Sequence, residues 1–308
     1  SLGSLLLSFT STFNQALLVR ILAGALSGFW FTSSMSMIAQ YTGSLQQGRA
    51  QGIAFSGGAV TNVLVFAAVG ALSKVDTEWR SFFVIGSFLG FLCLALVYLF
   101  AKDLKKESRE RKGVEDRADE SRVLFIKLLR NRSIALTLVF NFLTSLAGWS
   151  LGTFFPTYLV VEKGLSVTET SSTMIGLAVS SIFCNILGGY ATDRFGFKLP
   201  LIVSVSVMCV VLLLFPVSPL GMPMWILLLI WGLIGGWAFM ALNVFVLMTI
   251  PERVRGTFLG TYNQVGFISA TVGPPLFGFM IDISGFSSFF TLSLAFYVIS
   301  LISALLIR

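Results

Sequence analysis

Long apolar stretches separated by short polar breaks set the frame of this 308-residue chain. Runs of about 20 apolar residues are the length at which a helix crosses a hydrocarbon core of about 30 Å. They predict a partial span over 1–11 and spans near 14–41, 49–73, 80–101, 133–161, 168–191, 199–217, 223–250, 256–281 and 286–307. Most breaks carry turn or cap residues, such as Gly43-Ser44 and Pro251-Glu252, as antiparallel neighbouring helices require. The short alternating segments of a membrane β-barrel do not appear. The fold class expected is an all-α polytopic membrane protein with about ten spans.

One break is of another kind. Residues 102–132 hold 11 Lys/Arg and 7 Asp/Glu, too polar to bury a core. Their last part, SRVLFIKLLRNR, mixes an apolar stripe with flanking cations and predicts a short helix on the membrane surface. The segment reads as a linker between two helical halves, 1–101 and 133–308.

Composition agrees and adds a direction. Apolar residues make up 56% and charged residues 11%, and mean hydropathy is +0.88, which excludes a soluble globular domain. The net charge of +7 is not a nucleic-acid signature, because the cations segregate by side. With the linker inside, that side collects 17 Lys/Arg, including Arg49, Arg194, Lys198, Arg253, Arg255 and Arg308. The other side has three, Lys74, Arg80 and Lys163, and Arg20 lies within a span. Linker and C-terminus are therefore expected in the cytoplasm of a cell that carries this protein in its cytoplasmic membrane.

Several chemistries lose their residues. Histidine is absent, and Cys93, Cys184 and Cys209 stand far apart in apolar runs, so neither a His-based catalytic pair nor a zinc spacing is present. No G-x-x-x-x-G-K-[ST] loop appears, so direct use of ATP has no support. No catalytic residues, metal ligands or cofactors are expected. The opening SLGSLLLSFTS has no initiator Met or basic region and reads as a chain beginning inside a helix.

The halves repeat. RAQGIAFSGGAV at 49–60 aligns with RGTFLGTYNQVG at 255–266, an offset of 206 residues, and GALSGFW at 24–30 resembles GLIGGWA at 232–238. Both copies run the same way through the membrane, the relation between transporter halves about an axis along the membrane normal. The same offset predicts roughly 70 residues and two spans ahead of residue 1, giving two halves of six spans.

Between the spans ending at 191 and starting at 199 stands GYATDRFGFK. Gly189 and Gly196 permit close packing and a tight turn, Asp193 is an acceptor suited to a helix N-terminus, and Arg194 and Lys198 sit at the cytoplasmic boundary. Pseudo-symmetry makes the start of the helix at Arg49 the expected partner of Asp193. The pattern G-x-x-x-D-R-x-G-x-K resembles the loop signature of the major facilitator superfamily. LVRILAGALSG at 18–28, PERVRG at 251–256 and FFPTYLVVEKGLSVTET at 154–170 are similar to other stretches of that family. The resemblance implies alternating access between two rocking halves, with this loop as a cytoplasmic latch remade in each cycle. Phe197 departs from the basic residue common there, which weakens a purely ionic reading of the loop.

Arg20 is the outstanding intramembrane charge, open to three readings: a cavity cation for substrate or proton coupling, a structural contact to carbonyls, or snorkelling. No Asp or Glu lies deep in a visible span, so proton coupling stays open. In the family, the first and fifth spans of each half line the cavity. That makes Asn141, Asn263 and Gln264 substrate-binding candidates, with Trp149, Tyr158 and Tyr262 as stacking surfaces and Asn62, Asn185 and Asn243 as further polar positions. Each competes with plain interhelical bonding or packing. GPPLFG at 273–278 is a candidate hinge. The fifth span lacks the Gly-Pro signature of drug–proton antiporters, and the spans after the linker hold no Arg, unlike organophosphate and nitrate porters. The expectation is a monomeric secondary transporter of a small solute, tilted by Arg20 toward a carboxylate. The alternatives are a sugar or drug porter of the same superfamily and a non-transporting sensor of the same fold.

Overall fold

The structure is a computed structural model and describes residues 2–24, 47–72, 79–100 and 118–307. Most of the span expected at 14–41, the GALSGFW stretch and the most polar part of the linker lie outside those residues. The described chain is helical and holds no strand. Its elements are α1 (Leu2–Ser8), α2 (Phe13–Gly24), α3 (Gln47–Leu72), α4 (Trp79–Phe100), α5 (Ala118–Leu129), α6 (Arg132–Val161), α7 (Val167–Phe195), α8 (Lys198–Leu214), α9 (Met222–Ile234), α10 (Trp237–Thr249) and α11 (Glu252–Leu306). Among the described residues, five stretches are long and apolar enough to cross a membrane: Gly52–Ala71, Arg132–Val161, Val167–Phe195, Met222–Val246 and Val254–Leu306.

One boundary differs from the sequence expectation, at a glycine pair. The expected span at 223–250 is two helices, α9 and α10, divided at Gly235-Gly236. The expected spans at 256–281 and 286–307 are the two arms of α11, which meet at Gly285, whose φ of 70° and ψ of −174° only glycine adopts without strain. The chain folds back there, since the rings of Phe277 and Phe296 lie 6.0 Å apart. GPPLFG, the expected hinge, is continuous helix. Gly273 brings α11 against α6 instead, where a Cβ would lie 2.7 Å from the Leu146 carbonyl oxygen and from Ser150 Oγ.

Small residues set how closely these helices approach, as they do in lipid, where apolar burial between helices supplies little drive. Along one side of α7, Gly176, Ser180, Cys184 and Gly188 recur every four residues and run parallel to α9 and α10. A Cβ on Gly176 would meet Trp225, on Gly232 the Leu177 carbonyl, on Gly236 Cys184 Sγ, and on Gly188 Trp237. Another side of α7 meets α3 antiparallel, with Gly52 against Asn185 and Gly70 against Ser171. Thus α7 packs between α3 on one side and α9 and α10 on the other.

Aromatic rings fill the centre of the bundle after the linker, where Phe155, Phe215, Phe277 and Phe289 are fully buried. Helix α5 lies with Leu124, Phe125, Leu128 and Leu129 against this bundle and Phe125 6.5 Å from Phe258, while Val123 and Ile126 stay exposed. The surface helix expected there therefore has one face on protein.

Candidate functional site

Helix α7 ends at Phe195, and Gly196, at φ 75°, turns the chain toward α8. Asp193 in the last turn accepts the backbone N–H of Arg49 through Oδ2 at 3.2 Å, and Arg49 Nε lies 3.8 Å from the same oxygen. Arg49 sits in the first turn of α3, where N–H groups lack partners within the helix and the dipole favours an anion. The Asp193 side chain is 10% exposed and that of Arg49 53%. Water therefore screens the ion pair, while the charge-assisted bond to the main chain is shielded. The Arg49 guanidinium lies 5.0 Å from the centre of the Tyr190 ring. Just inside, a Cβ on Gly52 would run into the Asn185 carbonyl, so α3 and α7 touch backbone to backbone.

The rest of the loop turns elsewhere. Arg194 donates to its own helix neighbour, the Tyr190 hydroxyl, at 3.2 Å, with Phe195 under its guanidinium. Lys198 Nζ donates to the Ile307 carbonyl at 3.0 Å, a cation on the C-terminal end of α11. Phe197 packs on Phe245 at 4.5 Å, so an aromatic contact stands where a basic residue is common in the resembling loops. Gly189 is buried in α7.

A second feature lies among α6, α8, α9, α10 and α11. Asn141 Nδ2 donates to the Tyr262 carbonyl at 2.8 Å, and Ser145 Oγ donates to Asn141 Oδ1 at 3.2 Å. Beside this tie is a cavity of about 170 Å³, lined by polar Asn141, Thr144, Ser145 and Ser204 and by the rings of Trp231 and Tyr262, among others. Tyr262 is 1% exposed, and its hydroxyl has no hydrogen-bond partner among the described residues.

Asn141 and Tyr262 are thus brought together, and Asn263 is buried next to them in sequence on α11. Trp149 is 55% exposed and Gln264 is also exposed, and neither lines the cavity. Arg20 is exposed on α2, its guanidinium 5.7 Å from the centre of the Phe83 ring on α4. Asn243 bonds the Phe239 carbonyl one turn back in its own helix, Asn62 is exposed, and Asn185 is half-buried beneath Gly52. Tyr158, expected as a stacking surface, donates to the Phe215 carbonyl and packs on Phe290, which makes it part of the core. The residues that sequence reasoning missed are Tyr190 at the loop and Thr144, Ser145, Ser204 and Trp231 at the pocket. Only Tyr190 carried a signal, since it lies inside the GYATDRFGFK motif.

Comparison with known proteins agrees with this architecture. A family model described as Major Facilitator Superfamily matches residues 1–274 and, in an overlapping match, 141–308. The chain is 22% identical over 311 residues to a cis,cis-muconate transport protein of Acinetobacter baylyi, covering 98% of this chain and 74% of that protein. It is 24% identical over 296 residues to a probable galactarate/D-glucarate transporter of Bacillus subtilis, covering 87% of this chain and 64% of that one. A gentisate transporter of Corynebacterium glutamicum is 26% identical over 228 residues, or 73% of this chain and 50% of the relative. The chain thus spans from about half to about three quarters of the length of these relatives.

Proposed function

This chain belongs to the Major Facilitator Superfamily, and from that premise we propose that it carries a small organic anion across the cytoplasmic membrane by alternating access. The observation that carries the mechanism is the bond from Arg49 N–H to Asp193. It joins a helix before the linker to one after it, at one end of the bundle, through one carboxylate that a rocking motion can release and remake. In this reading residues 1–101 and 133–308 belong to the two halves, and the end holding Arg49, Asp193 and Lys198 faces the cytoplasm. Gly189, Asp193, Arg194, Gly196 and Lys198 form the gating loop, with Asp193 as its working group and the two cations anchoring the loop.

The substrate class rests on two supports. Relatives of this chain are named for muconate, galactarate or glucarate, and gentisate, all of them carboxylates. Arg20, two turns into α2 on an apolar helix, is a cation a carboxylate can meet. Counterflow in proteoliposomes of the full-length protein tests the reading. Saturable exchange of a carboxylate that neutral sugars do not compete is the expected result. Exchange competed by sugars and ignored by organic acids overturns the substrate class. Absence of exchange with every class of solute favours a sensor of the same fold.

A further inference from the structure

Helix α5 mixes two kinds of residue on the face it turns away from the bundle. Leu124, Phe125, Leu128 and Leu129 pack inward. At 3.6 residues per turn, Val123, Ile126, Lys127 and Arg130 fall within an arc of about 100° on the opposite side, and all four are exposed. Arg130 keeps the helical register although α5 ends at Leu129, since its N–H bonds the Ile126 carbonyl at 3.2 Å. Arg132, exposed as well, stands in the first turn of α6.

The inner face sets the depth of the helix. Phe125 lies 6.5 Å from Phe258, which is inside the apolar stretch of α11 that starts at Val254, and the apolar span of α6 starts at Arg132. Helix α5 therefore lies beside the first turns of both spans, at the level where headgroups meet acyl chains. Neither bulk phase suits its outer face: water leaves Val123 and Ile126 exposed, and hydrocarbon leaves the cations unsolvated. The interface satisfies both. Charge then selects the headgroup. Lys127, Arg130 and Arg132 fall within six residues, and none of them has an acidic partner among the described residues. Asp119 and Glu120 stand about two turns off at the far end of α5, roughly a Debye length away. Arg132 also occupies a helix N-terminus, where the dipole disfavours a cation. An anion at this point offsets both the mutual repulsion and the dipole.

We propose that this face is a binding site for an anionic phospholipid of the adjoining leaflet. Val123 and Ile126 meet the first methylenes of its chains, and Lys127, Arg130 and Arg132 meet its phosphate. A zwitterionic lipid brings the same phosphate with a cation that these side chains repel. Bound there, the anionic lipid holds α5 against α6 and α11, the pair tied by Asn141 and Tyr262. The site goes beyond the proposed function and does not depend on the solute carried.

Native mass spectrometry of the purified full-length protein, offered equimolar dioleoylphosphatidylglycerol and dioleoylphosphatidylcholine, reads which lipid is retained first. The wild type retains phosphatidylglycerol about tenfold over phosphatidylcholine, a preference that two cations at about fivefold each supply. Lys127→Gln, Arg130→Gln and Arg132→Gln together bring the ratio to within about twofold. Arg130→Gln alone lowers it by about threefold and serves if the triple variant does not elute as a single species. Lys105→Gln, Lys106→Gln and Arg109→Gln together remove the same charge from the polar stretch and leave the ratio unchanged. A wild-type ratio below about twofold, or an equal fall in that control, overturns the site. So does displacement of the lipid by equimolar glycerol 3-phosphate, which carries the anion without the chains. A preference that does not respond to loss of the three cations overturns it as well, and assigns them to the acidic residues of the polar stretch or to another partner.

Discussion

The carboxylate of Asp193 meets the main-chain N–H of Arg49 at 3.2 Å, bridging 144 residues of chain. The acceptor is a side chain and the donor is backbone, so the two residues are not equivalent partners. Any non-proline residue at position 49 keeps the donor, while position 193 needs an acceptor of the right length and charge.

Asp193→Ala is therefore expected to lower counterflow by about tenfold or more, and Arg49→Ala by about threefold or less, since an exposed ion pair contributes little. Labelling of cysteines placed at this end of α3 should rise in Asp193→Ala and stay near wild type in Arg49→Ala. Equal effects of the two substitutions would show that the ion pair, not the helix terminus, is the contact that matters.

Glycines of α3 separate by what lies opposite them. Gly52 faces the Asn185 carbonyl, whereas nothing lies within 4 Å of a Cβ built on Gly57 or Gly58. Gly52→Ala must push two backbones apart and is expected to destabilise by about 1–3 kcal/mol, visible as a lower Tm in detergent. Gly57→Ala should be neutral or slightly stabilising, because alanine is the better helix former.

Asn141 ties α6 to α11 through the Tyr262 carbonyl. Asn141→Leu is expected to cost about 1 kcal/mol, the scale of an interhelical bond in a membrane bundle. The Tm in detergent measures it, and a much larger loss would mean that the cavity beside it collapses.

The turn of α11 rests on Gly285 and not on the prolines. Gly285→Ala forces an L side chain into a conformation costing about 1–3 kcal/mol and should lower both Tm and folded yield. Pro275→Ala restores a helix-forming residue where the backbone is already helical, and counterflow should stay within about twofold. A severe transport loss in Pro275→Ala with unchanged Tm would restore 273–278 as the hinge.

Arg20 offers a cation but no fork-shaped partner among the described residues, only the Phe83 ring. If it meets the substrate carboxylate, Arg20→Lys should raise the apparent dissociation constant by about tenfold, since a bidentate contact becomes a single one. Neutral analogues of the same solute should bind equally to both proteins.

Much of this molecule was legible in one dimension because membranes impose a simple rule. Backbone groups in hydrocarbon must pair within their own helix, so span positions follow from runs of apolar residues. The expected partner of Asp193 was legible through the 206-residue repeat. Tyr190, Thr144 and Ser204 were not, because a serine, threonine or tyrosine in an apolar helix looks the same whether it bonds its own turn or a ligand.

By itself, the sequence determined the helical class, the polar stretch at 102–132, the segregation of charge along the chain and the loop that carries Asp193, since each depends on composition and local order. Only the tertiary structure decided that Arg49 supplies backbone N–H as well as charge, that α11 stays helical through GPPLFG, and that Asn141 and Tyr262 line one pocket. Those facts depend on which faces of separate helices meet. Hydropathy cannot specify faces in a bilayer, where most sides of a helix are apolar and small residues set the contact.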